Sequence, residues 1–310
     1  MGGPGLELTE EPMAAGHDLP RRGTSPRVDY LRYLLDAYLP LHWFAVFRAH
    51  ELFSVGPYVG LLQPPVLDLG CGDGLVAQLL FGRPLEFGID SSAPVAGGAG
   101  KSRRYRFVLR GSAQAIPAKG NSLGGVFSNC ALEHMADLGV VIAEVARVLK
   151  PGGYFVATAL APQYYSLNPV FSAVDVFGLR WLRSRMIAAE NALHNHVSVL
   201  SVEEYRALFA QSGMALVEHR YYMPRQLAAF CLKWDTLSKY GMPFPGGLSH
   251  SGLLVWLLRA TYRRASRDVL FRQALVTRWH KRFWQACYAG NEGSSEGAGH
   301  VLVAMKHHAR

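Results

Sequence analysis

The stretch Val66-Leu67-Asp68-Leu69-Gly70-Cys71-Gly72-Asp73-Gly74 decides the fold of this 310-residue chain. Its first four residues predict a short buried strand, the alternating glycines a tight turn, and Leu75 to Phe81 the helix that follows. Glycine suits such a turn because it adopts backbone angles that other residues avoid and lets a ligand lie against the main chain. The stretch therefore predicts a cofactor-binding turn in an α/β sheet.

A second apolar strand, Leu85 to Ile89, ends in Asp90. An acidic residue at this position can accept hydrogen bonds from two ribose hydroxyls. The glycine spacing is G-x-G-x-G and not the G-x-G-x-x-G of dinucleotide sites, and Asp68 and Asp73 would repel a pyrophosphate. These carboxylates suit a cofactor that carries an ammonium and a sulfonium, so a nicotinamide enzyme is disfavoured.

Further motifs follow the glycine turn in a fixed order. They are Gly111-Ser112-Ala113-Gln114-Ala115-Ile116-Pro117, Asn121-Ser122-Leu123, Leu132-Glu133-His134, and Glu144-Val145-Ala146-Arg147-Val148-Leu149-Lys150-Pro151-Gly152-Gly153. With these motifs the chain resembles the class I S-adenosylmethionine-dependent methyltransferases, in particular the small-molecule methyltransferase domain 11 family. The resemblance covers Pro65 to Leu160.

The resemblance implies that S-adenosylmethionine is the cofactor. It places the backbone of Gly70 and Gly72 against the methionine moiety, Asp68 toward the ammonium, and Asp90 on the ribose. Ser112 and Ala113 are expected at the adenine edge. The complete predicted cofactor set is Asp68, Gly70, Cys71, Gly72, Gly74, Asp90, Ser91, Ser112, Ala113 and Asn129.

Two positions depart from the family pattern. Ser112 stands where the family usually has an aspartate that contacts adenine, and Leu123-Gly124 replaces the usual Phe-Asp pair at the fourth strand. A serine hydroxyl can still bond to an adenine amino group, so we expect weaker cofactor binding and not its loss. A catalytically degenerate S-adenosylmethionine-binding protein is the alternative that these departures leave open.

Strands and helices alternate after the glycine turn. This alternation predicts an α/β, Rossmann-like fold with a seven-stranded, mainly parallel sheet and helices on both faces. The other strands are expected at Arg106 to Leu109, Gly125 to Ser128, Tyr154 to Ala159, Met214 to Arg220 and His300 to Met305. By the family resemblance, the last of these is antiparallel and inserted beside strand six.

The segments outside the core give a predicted domain organisation. A disordered tail (1–27) precedes N-terminal helices (28–60), a cofactor-binding core (61–220), a helical basic insertion (221–299) and a final strand and tail (300–310). Within the core, a cap insertion at 161–200 carries one predicted helix. Because both insertions leave the carboxyl ends of strands five and six, where ligands bind in open α/β sheets, we expect them to define the substrate pocket.

The charge balance favours an acidic partner. The chain has 32 Lys and Arg against 23 Asp and Glu, a formal net charge of +9. Arginines and aromatic residues alternate over 250–288, which predicts either a solvated helical lobe or a peripheral contact with an anionic membrane. An RNA or DNA methyltransferase is less favoured, because Ser128-Asn129-Cys130-Ala131 stands where base-methylating enzymes carry an N-P-P-Y-like motif.

The scattered cysteines (Cys71, Cys130, Cys231 and Cys287) and the absence of a recognisable secretory signal predict a cytoplasmic protein, with peripheral membrane attachment as an alternative. His134, after strand four, is the first candidate for a catalytic base, and His196 of the His194-x-His196 pair is the second. With no third ligand evident near that pair, no metal is expected. We therefore predict methyl transfer to a small or lipid-linked acceptor through O, N or C, by in-line displacement.

Overall fold

A computed structural model of the protein describes residues 30–38, 42–92, 98–100, 103–240 and 295–308. The strands are β1 (Val66–Leu69), β2 (Leu85–Asp90), β3 (Tyr105–Arg110), β4 (Leu123–Asn129), β5 (Leu149–Leu160), β6 (Met214–Tyr222) and β7 (Gly299–Lys306). They form a seven-stranded sheet in the order β3-β2-β1-β4-β5-β7-β6, in which only the pairs made by β7 are antiparallel. The predicted Rossmann-like fold is confirmed, including the antiparallel strand beside β6.

The helices flank this sheet and cover its carboxyl edge. They are α1 (Tyr30–Tyr38), α2 (His42–Val55), α3 (Leu75–Leu80), α4 (Leu138–Val148), α5 (Gln163–Ser166), α6 (Pro169–Val176), α7 (Arg180–His194), α8 (Val202–Gln211) and α9 (Arg225–Tyr240), with short 3₁₀ turns at Gly56–Leu61 and Leu132–His134.

Successive strand residues pack on opposite faces of the sheet. Val66 and Val156 belong to the core that includes α1, α2 and α9, whereas Leu67 and Phe155 belong to the core that includes α4 and α8. Because side chains alternate along a strand and both faces are covered, these strands are apolar at nearly every position. The glycine turn after β1 therefore starts from a rigid, buried element.

The cap insertion after β5 contains more helices than the sequence predicts. We expected one helix between residues 161 and 200, and the structure has α5, α6 and α7. Asn168 caps α6, with its side chain accepting a hydrogen bond from the Val170 amide, and Pro169 starts the helix. Gly178, at φ 71°, separates α6 from α7. The prediction of one helix was wrong because each stop or start signal is only one or two residues long. The apolar residues on either side of these signals look like one continuous helical segment.

Several predictions concern residues outside the described ranges. They include the tail at 1–27 and the basic segment at 250–288, and the proposed domain boundaries stay predictions. None of the helices in the described part of the chain is both long and apolar enough to cross a bilayer.

Candidate active site

A cavity of about 680 Å³ lies at the carboxyl ends of β1, β2 and β4. It is lined by nine of the ten residues predicted to bind the cofactor, namely Asp68, Gly70, Cys71, Gly72, Asp90, Ser91, Ser112, Ala113 and Asn129. The tenth, Gly74, is the N-cap of α3 at φ 84° and turns the chain into that helix without lining the cavity. The sheet topology thus gathers residues that are far apart in the sequence.

The glycine turn is fixed to the neighbouring strand. The amides of Gly70 and Cys71 both donate to the Ile89 carbonyl oxygen, at 2.8 and 3.0 Å. Gly70 has φ 77°, and a Cβ there would lie 2.5 Å from the Ala131 Cβ. Gly72 has φ 56°, and a Cβ there would meet no protein atom within 4 Å. The Gly72 backbone therefore faces open space, as the approach of a ligand to the main chain requires.

Asp90 ends β2 at the rim of the cavity. Its Oδ2 accepts a hydrogen bond from the Gly72 amide at 3.1 Å, and its Oδ1 accepts one from the Ser92 amide at 2.9 Å. A carboxylate offers about four lone-pair sites, so both oxygens can accept a further hydrogen bond. These two amides orient the carboxylate, and they leave it able to bind a pair of hydroxyls.

Asp68 is almost fully buried beneath the turn. Its Oδ2 accepts a hydrogen bond from the Tyr105 hydroxyl at 2.6 Å. Burial is the main reason that the pKa of the Asp68 carboxyl is raised to about 7. The Tyr105 hydrogen bond acts against this rise, and the nearby Asp90 charge adds to it. A cation beside Asp68 would favour its ionised form. This geometry suits a buried carboxylate that pairs with an ammonium.

Ser112 and Gln114 also line the cavity. The Ser112 hydroxyl oxygen accepts a hydrogen bond from the Gln114 amide at 3.1 Å, and the hydroxyl proton remains available for an acceptor. The Gln114 side-chain amide donates to the Ala136 carbonyl at 3.1 Å. Ser112 therefore keeps hydrogen-bonding capacity toward the cavity, although it lacks the carboxylate usual in the resembled family.

Asn129 lines the cavity, but its side chain is committed to a buried polar network. Its amide nitrogen donates to Glu51 Oε1 at 2.8 Å and to Thr158 Oγ1, and its oxygen accepts from Arg48 Nη2 at 2.8 Å. Thr158 Oγ1 also donates to Glu51 Oε1 at 2.6 Å. Arg48 and Glu51 form an ion pair at 2.6 Å. The network joins α2 to the ends of β4 and β5, so Asn129 acts mainly as an anchor.

A second cavity, of about 300 Å³, adjoins the first. The residues that line both cavities are Tyr38, Arg48, Cys130 and His134. Its apolar wall includes Trp43, Phe44, Phe47 and Leu160, and its polar wall includes Glu133, His194, His196 and Asp235. The α1 and α2 helices therefore help to enclose both cavities.

His134 stands at the junction of the cavities. Its Nδ1 lies 3.1 Å from the Asn195 carbonyl oxygen. A carbonyl oxygen only accepts hydrogen bonds, so Nδ1 carries the proton and Nε2 of the neutral ring keeps a lone pair. The His196 ring lies 5.3 Å from the His134 ring, between centroids, and lines only the second cavity. The structure brings both predicted histidines together, with His134 nearer the cofactor cavity.

Glu133 is a functional candidate that the sequence did not single out. Its side chain is buried, it lines the second cavity, and its Oε2 has no hydrogen-bond partner within the described chain. Burial raises the pKa of the Glu133 carboxyl to about 7. The sequence shows Glu133 only as part of a motif, and its burial depends on how the cap packs over β4.

His194 lies beside Glu190 and Asp235, two acids that its sequence neighbourhood does not reveal as a group. One ligand-type atom from each of the three residues lies within 4.8 Å of the others. Glu190 Oε1 accepts a hydrogen bond from the Tyr164 hydroxyl at 3.1 Å and lies 3.3 Å from His194 Nε2. These contacts connect α5, α7 and α9 across the cap, and the absence of a metal stays a prediction.

Comparisons with known proteins agree with this geometry. A family model described as a methyltransferase domain matches residues 67–157. The ubiquinone biosynthesis O-methyltransferase of Rhizobium etli is 28% identical over an alignment 174 residues long, which covers 53% of this chain and 64% of that protein. The protein of the same name from Rhizobium rhizogenes is 27% identical over 60% of this chain and 79% of its own length.

Among solved structures, the chain is similar to one from the complex between the Haloferax volcanii Trm112 methyltransferase activator and a methyltransferase. The TM-score is 0.50 at 19% identity, over 92% of this chain and 100% of that one. At this identity the similarity concerns the fold.

Proposed function

We propose that this chain, whose residues 67–157 form a class I S-adenosylmethionine-dependent methyltransferase domain, methylates an oxygen of a small or lipid-linked acceptor. The observation that carries the proposal is the pair of adjoining cavities, one at the glycine turn and one under the cap, with His134 on the wall of both. Such a pair can hold a methyl donor and an acceptor next to each other, as an in-line displacement requires.

The residues at the glycine turn fit S-adenosylmethionine. The open space at Gly72 accepts a ligand against the main chain, the Asp90 carboxylate can accept from ribose hydroxyls, and Asp68 can pair with the ammonium. When bound, the cofactor supplies an electrophilic methyl group on a sulfonium. The chain itself contributes orientation, because Tyr38 of α1 and Arg48 of α2 line both cavities and can position their contents.

Two side chains can take the proton of a hydroxyl acceptor. In the neutral tautomer whose Nδ1–H donates to the Asn195 carbonyl oxygen, His134 Nε2 has a lone pair that can accept a proton. Glu133 has a buried carboxyl oxygen with no hydrogen-bond partner among the described residues. We assign His134 as the general base, because it alone of the two lines both cavities. Glu133 is the alternative, while His196, the other predicted histidine, lines only the second cavity.

The apolar wall of the second cavity indicates the acceptor class. Its tryptophan and phenylalanine side chains suit an aromatic or isoprenoid-like body, and the polar wall suits one or more hydroxyls. The relatives named for O-methylation in ubiquinone biosynthesis support an oxygen nucleophile. A cytoplasmic location with peripheral membrane contact is part of this proposal.

Labelled methyl transfer from S-adenosylmethionine to a panel of phenols and hydroquinones tests the proposal. We expect transfer by the natural chain, and a loss of roughly 100-fold or more in kcat for His134→Asn, the range typical of a general base. His307→Asn, an exposed histidine distant in sequence from the cavities, is the control. Transfer that is unchanged in His134→Asn and lost in Glu133→Gln would move the base role to Glu133.

A further inference from the structure

The turn between α6 and α7 exposes large apolar side chains. Val176 is 84% exposed, Phe177 77% and Trp181 61%. Gly178 makes the turn at φ 71°, so these side chains project from the end of a helical hairpin. We call residues 176–181 the cap tip. Side chains this exposed bury little apolar surface in the core, and a cluster of them is typical of an interaction surface.

The same apolar surface continues along α7. The exposed residues that follow Trp181 in the helix are Ser184, Arg185, Ala188, Ala189, Ala192 and Leu193. Spacings of three and four place most of these residues on one side of the helix. Leu193 is 60% exposed, and Val197 beyond the helix is also exposed. A strip of mainly small and apolar side chains, interrupted by Ser184 and Arg185, therefore runs from the cap tip to the C-terminal end of α7.

Arginines lie within the cap tip and just after it. Arg183 pairs with Asp175 at 2.9 Å, whereas Arg180 and Arg185 are exposed and make no ion pair within the described part of the chain. The combination of Trp, Phe and unneutralised arginine is typical of a helix that lies in the headgroup region of an anionic bilayer.

We propose that the cap tip and the exposed face of α7 bind an anionic membrane surface. The shape favours a membrane over a folded protein, because projecting side chains enter a fluid interface readily but need a matching pocket on a rigid partner. The exposed arginines supply the complementary charge for lipid phosphates.

The position of α7 indicates what membrane binding would do for the enzyme, and this step rests on the proposed function. The α7 helix begins at the cap tip and ends at His194, which lines the second cavity. A lipid-linked acceptor could thus pass from the bilayer to the active site along one helix.

Co-sedimentation of the full-length protein with vesicles, without cofactor or acceptor, tests the proposal. The vesicles are phosphatidylcholine alone or phosphatidylcholine mixed with phosphatidylglycerol. We expect binding only to the mixture, weakening with added salt, and lost in the double variant Phe177→Ser, Trp181→Ser. Arg180→Ser and Arg185→Ser should each weaken binding about fivefold at low ionic strength.

Matched controls come from the edge strand β3, where Phe107 is 60% exposed and Arg106 is exposed. Phe107→Ser and Arg106→Ser should bind vesicles as the natural chain does. Equal binding by the natural chain and the double variant would overturn the proposal, as would a natural chain that binds no vesicles. A dimer in solution that the double variant dissociates would instead assign the surface to a second copy, and also overturn it. Cofactor binding, measured separately on the same variants, reports on the proposed function alone.

Discussion

At the scale of single residues, the charge state of Asp68 that favours folding differs from the charge state that favours binding of an ammonium. Burial raises its pKa from the ordinary value of 3.8 to about 7, so ionisation of this carboxyl costs stability in the protein without ligand. The same ionised carboxyl is the group that can pair with an ammonium in the adjoining cavity. Groups with shifted pKa values cluster at functional sites. We infer that the bound cofactor offsets the stability cost of ionising Asp68.

Asp68→Asn should separate the two effects. Since the folded-state pKa is raised, the carboxyl's contribution to stability is fully present below pH 3.8 and is lost as pH rises to about 7. We therefore expect the variant to gain stability relative to the natural chain over this range, by a few kcal/mol at most, on the order of 1.4 kcal/mol per pH unit. Chemical denaturation across the range measures the difference, in which Glu133 cancels because both proteins retain it.

The affinity for S-adenosylmethionine should follow the opposite trend. In the natural chain it should rise as pH increases through about 7, because the ammonium needs an ionised Asp68. In Asp68→Asn it should be weaker and lack this rise. A rise of equal size in both proteins would show that another group titrates.

Gly124 explains a departure from the family pattern in physical terms. A Cβ at this position would overlap the Gln63 carbonyl oxygen and lie 2.9 Å from the Pro64 carbonyl oxygen. The Gly124 amide donates to the Pro65 carbonyl at 2.9 Å, so the chain before β1 runs directly across β4 here. The missing aspartate therefore reflects local packing, and it does not support a degenerate active site.

Gly124→Asp, which restores the usual family residue, should destabilise the protein by at least about 3 kcal/mol, because the added side chain meets backbone atoms that cannot move independently. Gly82→Asp is the matched control, since a Cβ at Gly82 meets nothing within 4 Å. Thermal unfolding compares them. Equal stability of the two variants would mean that the chain before β1 can shift.

At the scale of elements, α2 is fixed to the sheet through charge as well as apolar contact. Glu51 is fully buried, and its Oε1 accepts from Asn129, Thr158 and Cys130 while Arg48 neutralises the carboxylate. These contacts set how α2 covers the junction of the cavities. Tyr38 and Arg48 line the cavity at the glycine turn, so α1 and α2 cover this cavity as well as the sheet.

Glu51→Gln should destabilise the protein by about 3 to 5 kcal/mol, because it leaves the Arg48 charge uncompensated beside a buried network. Glu86→Gln is the control, since Arg83 and Glu86 form a pair at the same spacing but with side chains 41% and 17% exposed. Its cost should be about 1 kcal/mol or less. Urea denaturation measures both. Similar costs would show that burial does not set the strength of the Arg48–Glu51 pair.

Elements and residues differ in how far the sequence predicts them. The glycine turn, Asp90 and the strands are predictable because their signals are local: strand, turn and helix follow each other within a few residues. Glu51 and Glu133 are not, because their roles arise from contacts with residues such as Thr158 and from the packing of the cap. No spacing in the sequence marks an acid that becomes buried only after distant elements meet.

At the scale of the whole molecule, the insertions after β5 and β6 add helices to the seven-stranded sheet. The cap after β5 and the helix after β6 meet at the second cavity, which His194 and Asp235 line together with aromatic residues of α2. In the proposed function, the sheet supplies the cofactor cavity and the added elements supply the acceptor cavity. We therefore expect acceptor specificity to depend on the parts of the chain that the methyltransferase family model does not match.

Calorimetric titration with S-adenosylmethionine and with its demethylated product tests the central claim most directly, with NAD as the control ligand. We expect both sulfur compounds to bind and NAD not to bind. Asp90→Asn should bind at least about tenfold more weakly, because the charged acceptor for the ribose hydroxyls is lost. Asp175→Asn, an exposed acid in the cap, should bind normally. Binding of NAD, or equal binding of the sulfur compounds by Asp90→Asn and the natural chain, would contradict the proposed cofactor site.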